Sequence, residues 1–209
     1  MMSSAYNFIY LHVPKTAGNS IQKALLPHSD DKIVLREGQD GTDRFGLSGP
    51  ITPAKHATLA EYEAHAPGIA QRMTVVISVR HPFERAVSYF FHTLRAQQIP
   101  LPQTQDDTIF WQMIKRPIFR PMVDFLTLSS GIHAPQHILR NDHLADDFAR
   151  MCQTLGLPLD PATALPHLNK SDAPTPAQAK YLQSRALRDE VEAYYQRDMD
   201  YFSYPSYPC

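Results

Sequence analysis

A lysine in a short turn, with small polar residues behind it, is the clearest chemical signal in the 209-residue sequence. Residues 12–20, His-Val-Pro-Lys-Thr-Ala-Gly-Asn-Ser, follow an apolar run that begins at Phe8. They precede residues 21–26, which are compatible with a helix. Backbone N–H groups at a helix start, together with the helix dipole, favour a bound anion. Because Lys15 adds a full positive charge, the pattern predicts a site for a phosphate or sulfate ester.

The same turn lacks the features of a nucleoside triphosphate loop. Such a loop needs a glycine-rich turn that ends in Gly-Lys-Ser/Thr, so that the backbone can wrap around the phosphates. Here Pro14 precedes Lys15, and no glycine stands between Tyr6 and Lys15. The turn therefore suits a smaller anion held mainly at the helix start. The alternative for Lys15 is a surface lysine beside an ordinary turn.

A second basic residue, Arg80, follows the strongest strand signal in the chain. Residues 73–79, Met-Thr-Val-Val-Ile-Ser-Val, are β-branched and nearly continuous in apolar character, as expected of a central parallel strand. Ser88 lies about two turns, roughly 9 Å, into the amphipathic helix predicted next. Arg80 and Ser88 could bind a second phosphate. They could equally be an arginine that satisfies strand-end carbonyls and a surface serine, and the spacing alone does not decide.

Strand and helix signals alternate along the chain, which predicts an α/β class with a central, mainly parallel sheet flanked by helices. The length fits a single domain over residues 1–209. Ligands of such sheets bind beyond the carboxyl ends of the strands, so both basic turns should open at one edge. A glycine- and proline-rich stretch, residues 36–53, predicts a long loop. The predicted strands are 6–11, 32–35, 73–79 and 137–139, and the predicted helices are 21–26, 59–65, 83–94, 108–114, 122–128, 141–155 and 176–195.

Composition excludes several classes of protein. The chain is 43% hydrophobic and 20% charged, with a formal net charge of −1. This is typical of a soluble globular protein and disfavours a general nucleic-acid binder, which would carry excess positive charge. Cys152 and Cys209 form no disulfide framework or zinc spacing, and no metal is expected. Because we find no signal-peptide pattern and no apolar run of membrane-spanning length, we expect a cytoplasmic protein.

The two basic turns resemble two motifs of sulfotransferases that use 3′-phosphoadenosine 5′-phosphosulfate (PAPS). Residues 12–20 are similar to the 5′-phosphosulfate loop of these enzymes, except that Asn19 stands where threonine or serine is more common. Residues 76–89 are similar to their 3′-phosphate motif. The branch that the chain resembles contains heparan sulfate 2-O-sulfotransferase and many small bacterial carbohydrate-type sulfotransferases. Later segments that resemble the family in its order are 137–148, 168–171 and 195–198.

The resemblance implies a P-loop-like sulfotransferase fold and the transfer of a sulfuryl group from PAPS to an acceptor hydroxyl, without a metal. It implies that Lys15 neutralises the 5′-phosphate of the departing adenosine 3′,5′-bisphosphate (PAP). Arg80 and Ser88 would bind the 3′-phosphate, and Lys170 and Ser171 would close over the nucleotide. The residues implied at the 5′-phosphate are Pro14, Lys15, Thr16, Ala17, Gly18, Asn19 and Ser20.

An acceptor hydroxyl needs a base, and His56 is the first candidate. It follows the 36–53 loop, beside Lys55, where the resembled branch carries its catalytic histidine. An imidazole titrates near neutrality and therefore suits general-base work. His12, at the end of the first predicted strand and close to Lys15, is the alternative base.

The acceptor itself is less defined by the sequence. A saccharide hydroxyl is favoured by the resemblance, and a lipid head group or a small metabolite is also compatible. The basic group Lys115, Arg116 and Arg120 could meet an anionic acceptor or form a solvated loop. Two rival functions are a P-loop-type nucleotide or sugar kinase and a non-catalytic module that binds a nucleotide or a partner protein. The missing Gly-Lys-Ser/Thr turn counts against the kinase.

Overall fold

The computed structural model describes residues 1–42, 44–101, 107–160, 165 and 174–209. Contacts divide the chain into two compact units, and each is described by itself. The first unit comprises residues 1–79 and 124–169, and the second comprises residues 80–123 and 170–209. The single domain over residues 1–209 stays a prediction.

Strands and helices are interspersed through the first half of the described chain. The strands are β1 (Met2–Ser3), β2 (Phe8–Leu11), β3 (Lys32–Val34), β4 (Gly46–Ser48), β5 (Thr74–Val79), β6 (Thr127–Leu128), β7 (Gly131–Ile132) and β8 (His137–Arg140). The helices are α1 (Gly18–Leu25), α2 (Leu59–His65), α3 (Ile69–Arg72), α4 (Pro82–Ala96), α5 (Asp107–Ile114), α6 (Leu144–Leu155), α7 (Pro176–Leu182), α8 (Arg185–Tyr194) and α9 (Gln196–Phe202).

A mainly parallel sheet forms the centre of the first unit. In the described part of the chain it has the order β1-β2-β5-β8, with β2, β5 and β8 parallel and β1 antiparallel at the edge. Leu11 pairs with Ile77 and Val79 with Arg140, so the carboxyl ends of these strands share one edge. All of β2 and five of the six residues of β5 are buried, as a strand covered on both faces requires. The predicted α/β class and parallel sheet are confirmed.

The core of the first unit joins the sheet to α1 and α6. Ile21 and Leu25 of α1 lie one turn apart and are fully buried with Val76 of β5 and Phe148 of α6. Cys152, one turn after Phe148, is buried in the same cluster, and burial raises the pKa of its thiol to about 11. Gly156 follows α6 as its left-handed C-cap, so the predicted helix 141–155 has its predicted end, although it begins only at Leu144.

The second unit is organised around α4. The predicted apolar stripe of this helix is buried among side chains of α5, α7 and α8, in a cluster rich in aromatic rings. Pro82 occupies the first turn, and His81 caps the helix by accepting a hydrogen bond from the Phe83 N–H group. The stripe consists of Phe83, Ala86, Val87, Phe90, Phe91 and Leu94.

Three predicted segments differ from the structure. The predicted helix 122–128 is instead a 3₁₀ turn, Met122–Phe125, followed by β6. The helix predicted over residues 176–195 ends at Leu182, because Ser184 caps a new helix. Within the predicted loop 36–53, β4 pairs with β3 as a two-stranded antiparallel sheet.

Candidate active site

The turn between β2 and α1 holds two non-glycine residues in the left-handed region. Lys15 has φ +70° and Ala17 has φ +65°, a conformation that costs an L-residue roughly 1–2 kcal/mol. Ala17 is the N-cap of α1, and its methyl group has no oxygen to accept hydrogen bonds from the first N–H groups of the helix. Such a turn orients backbone N–H groups toward an anion. This geometry supports the anion site predicted from the sequence.

The hydroxyl of Thr16 faces the sheet and belongs to a chain of hydrogen bonds. Thr16 Oγ1 donates to the carbonyl of Val13 at 2.8 Å and lies 2.6 Å from Ser78 Oγ, which lies 2.7 Å from the Tyr10 hydroxyl. Because a carbonyl only accepts, Ser78 donates to Thr16 and Tyr10 donates to Ser78. Any contact between Thr16 and a phosphate therefore comes from its backbone N–H.

Ser78 is a site residue that the sequence analysis did not assign. It is fully buried in β5, and its hydroxyl ties the lysine turn to the central strand. A buried hydroxyl that follows the apolar run 75–77 is a signal that a polar partner is near, because buried polar groups are hydrogen-bonded. The sequence offered no way to identify that partner as Thr16.

Gly18 allows the His12 ring to pack against the start of α1. A Cβ atom built on Gly18 would lie 1.9 Å from His12 Cδ2 and 2.1 Å from His12 Nε2. No side chain fits at this distance, so the glycine is required by the close approach of the ring. The predicted anion-binding role of Gly18 stays a prediction that concerns its backbone N–H.

His56 is bound to the end of β2. Its Nδ1 lies 2.9 Å from the carbonyl oxygen of His12, and the two rings meet edge to face with centroids 4.4 Å apart. Because the carbonyl only accepts, Nδ1 carries the proton of the neutral ring and Nε2 carries its lone pair. His56 is half-buried, as a base that meets a substrate requires. The structure thus brings the predicted base to the strand that leads into the lysine turn.

His12 is held in the neutral form. The side chain is buried, and burial lowers the pKa of its imidazole well below the usual range. His56, whenever it is protonated, and the ammonium of Lys55 lower this pKa further. Lys55 packs its ammonium group 3.4 Å from the centre of the Phe45 ring. A buried neutral ring packed on Gly18 is better placed to support His56 than to meet an acceptor itself.

The predicted 3′-phosphate residues lie on one face of the second unit. Arg80 Nε lies 3.5 Å from Oε2 of Glu84, in the first turn of α4. From Pro82 to Leu94 the helix is buried except at Glu84, Ser88 and His92, which are spaced four residues apart. Ser88 therefore follows Glu84 on the same face of the helix, one turn further from Arg80.

The remaining candidates are two residues of a late segment and the basic group of the second unit. Lys170 and Ser171 lie outside the described residues. The Lys115 ammonium packs over Trp111 and Tyr194, with distances of 5.0 and 5.6 Å to the ring centres. Arg120 Nε donates to the carbonyl of Pro117 at 3.3 Å. No helix in the described part of the chain is long and apolar enough to cross a membrane.

An α/β fold in which a lysine turn opens at the carboxyl end of a central strand is typical of proteins that bind phosphate or sulfate esters. A family model described as the sulfotransferase family matches residues 1–205, a stretch that runs through both compact units. The chain belongs to the sulfotransferase family, and the protein is an enzyme that transfers a sulfuryl group. Comparisons with curated proteins and with solved structures found no match.

Proposed function

We propose that this sulfotransferase uses PAPS as its donor and transfers the sulfuryl group to a hydroxyl of a saccharide acceptor. The observation that carries the proposal is the hydrogen bond from His56 Nδ1 to the carbonyl of His12. This bond attaches a correctly protonated histidine to the strand that runs directly into the Lys15 turn. The general use of PAPS by the family supports the choice of donor.

The transfer needs one bond to break, one bond to form and one proton to move. The acceptor oxygen attacks sulfur as the bond from sulfur to the 5′-phosphate oxygen breaks, and His56 Nε2 takes the proton of the acceptor hydroxyl. The leaving phosphate gains negative charge, which the ammonium of Lys15 and the N–H groups at the start of α1 compensate. Neutral His12 leaves the charge on His56 without a second imidazolium beside it.

The nucleotide is held by residues carried over from the family resemblance. The turn residues Pro14 to Ser20 would surround the 5′-phosphate, mainly through backbone N–H groups. Arg80 and Ser88 would bind the 3′-phosphate, and Lys170 with Ser171 would close over the nucleotide. The common face of Glu84 and Ser88 supports the pairing of Ser88 with Arg80, which contacts Glu84.

Titration calorimetry with PAP and with ATP tests the nucleotide assignment. We expect PAP to bind without magnesium and ATP to give no comparable heat, because the turn lacks the glycines of a triphosphate loop. No heat with PAP would overturn the proposal. Transfer to lipid or small-metabolite hydroxyls alone, in a panel of acceptors, would replace the saccharide assignment.

Three single variants test the residue roles. Lys15→Ala and His56→Ala should each lower turnover by about 10²- to 10⁴-fold, because a leaving-group charge or a base is lost. Arg80→Ala should mainly weaken nucleotide binding. Lys23→Ala in α1 and His65→Ala in α2 are matched controls that should keep wild-type turnover. Full activity in His56→Ala would remove this residue from the mechanism.

A further inference from the structure

A carboxylate lies between the two residues proposed to bind the 3′-phosphate. Glu84 is four residues after Arg80 and four before Ser88, on the half-buried face of α4. A negative charge in this place opposes a bound phosphate unless it is held away from the ligand and compensated. The presence of the Glu84 carboxylate beside a proposed phosphate site therefore requires a structural explanation.

Both oxygens of this carboxylate have a defined partner. Oε2 of Glu84 faces Nε of Arg80 at 3.5 Å, and Oε1 accepts a hydrogen bond from the hydroxyl of Tyr207 at 3.3 Å. Burial, followed by the charge of Glu84, raises the pKa of the Tyr207 hydroxyl to about 12, so it remains a donor at neutral pH. The carboxylate is thus fixed between a guanidinium and a phenol.

The backbone of Tyr207 is itself anchored to α8. Its N–H donates to Glu192 at 2.8 Å, and its carbonyl accepts from Arg188 at 3.0 Å. The ring packs against His81 and Phe83 at the start of α4, with centroid distances of 5.2 and 5.5 Å. Tyr207 is therefore a rigid support rather than a loose surface side chain.

The contact through Nε is the geometrically useful one. A guanidinium has its Nε on one side and its two terminal nitrogens at the end, and the terminal pair suits a bidentate phosphate contact. A carboxylate held at Nε orients the group and leaves that end directed elsewhere. If Glu84 turned so that both oxygens met the terminal nitrogens, it would compete directly with the phosphate.

We propose that Tyr207 and Glu84 are positioning residues that hold Arg80 in the orientation needed for the 3′-phosphate of the nucleotide. This inference rests on the proposed function, because it assigns Arg80 to that phosphate. Tyr207 acts through Glu84: its hydroxyl keeps one carboxylate oxygen away from the guanidinium. The prediction is an effect on nucleotide affinity that depends on the 3′-phosphate.

Calorimetric titration of Tyr207→Phe with PAP and with adenosine 5′-monophosphate tests this inference. The variant keeps the ring and loses only the hydroxyl, so we expect its thermal midpoint to stay close to that of the wild type. The affinity for PAP should fall about tenfold, as for one hydrogen bond to a charged group. The affinity for the 5′-monophosphate should not change. Tyr194→Phe, at an exposed tyrosine of the same unit, is the control.

A double-mutant cycle distinguishes a positioning role of Tyr207, which acts through Glu84, from a general disturbance of the protein. In a Glu84→Gln background the side chain carries no charge to compete with the phosphate, so Tyr207→Phe should have little further effect on PAP binding. Equal losses for both nucleotides, unchanged PAP affinity, or an undiminished effect in the Glu84→Gln background would each overturn the inference alone. Failure of the wild type to bind PAP would overturn the proposed function and this inference with it.

Discussion

The contact between His12 and Gly18 makes a sharp prediction for the variant Gly18→Ala. The new methyl carbon would lie 1.9 Å from the His12 ring, so the ring would have to withdraw to at least 3.4 Å for an ordinary contact. The ring has little space to do so, because it is 4% exposed and lies against His56, with ring centroids 4.4 Å apart. The substitution therefore overpacks the site.

The size of the effect follows from two opposing contributions. Overpacking costs about 1–3 kcal/mol, and an overlap this close belongs at the upper end of that range. Replacing glycine by alanine in a helix favours folding by up to about 1 kcal/mol. We expect a net loss of about 2 kcal/mol, which lowers the thermal midpoint of a chain of this length by about 4–8 °C. Helix propensity alone predicts that Gly18→Ala stabilises the protein, so a loss of stability would identify the clash with the His12 ring.

A thermal-unfolding cycle without nucleotide isolates the contact. His12→Ala removes the ring, so adding Gly18→Ala in that background should cost nothing or stabilise slightly. Turnover of Gly18→Ala should fall about 10²-fold, since a displaced His12 carbonyl moves His56 by about 1 Å. A higher midpoint for Gly18→Ala, or an equal cost with and without the His12 ring, would show that the ring does not pack on Gly18.

Three further predictions concern the same turn. Ser78→Ala leaves the buried Tyr10 hydroxyl without its acceptor and should lower stability by about 1–3 kcal/mol in urea unfolding, with partial recovery when Tyr10→Phe is added; no loss would contradict the hydrogen-bond chain. Ala17→Gly relieves a left-handed alanine and should raise stability by about 0.5–1 kcal/mol in the same assay, whereas a loss would contradict the strain. The folded-state pKa of His12 is lowered, so the unfolded state takes up the proton first and stability should fall as pH drops below about 6.5, by up to about 1.4 kcal/mol per pH unit. The difference between the urea midpoints at pH 7.5 and pH 5.5 should be smaller in His12→Asn than in the wild type. An equal difference in the two proteins would show that His12 does not make stability depend on pH in this way.

The parallel sheet could be predicted because the residue composition of its strands is itself typical of buried strands. The run 73–79 is almost entirely apolar and β-branched, and the structure has β5 at Thr74–Val79. The small β3–β4 sheet could not be predicted in the same way. Each of its strands has three residues, and Gly46–Ser48 becomes a strand only because Lys32–Val34 pairs with it.

The wrong helix at 122–128 has a tertiary cause. The N–H groups of Met122 and Val123 donate to the carboxylate of Asp198, at 2.8 and 2.9 Å. These bonds fix the start of a 3₁₀ turn, and the chain then enters β6, which pairs with β7. Asp198 is more than 70 residues away in the sequence, so the residue pattern around 122–128 could not predict this contact.

The candidate site also has features that the local sequence predicts and features that depend on distant contacts. Residue type and position made Lys15 and Arg80 candidates, because each follows a recognisable strand, and the family resemblance made His56 the candidate base. The contacts that orient them were not visible, since they join distant residues. The contact of Ser78 with Thr16 depends on the pairing of β2 with β5. The support of His56 by the His12 carbonyl joins residues that are 44 positions apart.

The lysine turn has the backbone conformation proposed for anion binding although it is poor in glycine. A triphosphate loop uses glycines wherever the backbone is left-handed, and it avoids strain in that way. Here the left-handed positions are Lys15 and Ala17, so the turn contains strain of roughly 1–2 kcal/mol at each. Such strain persists only where the surroundings fix the backbone, and the Tyr10–Ser78–Thr16 chain fixes it at the residue between them. A glycine at position 15 would relax the turn but would remove the ammonium group that, in the proposed mechanism, compensates the charge of the leaving group.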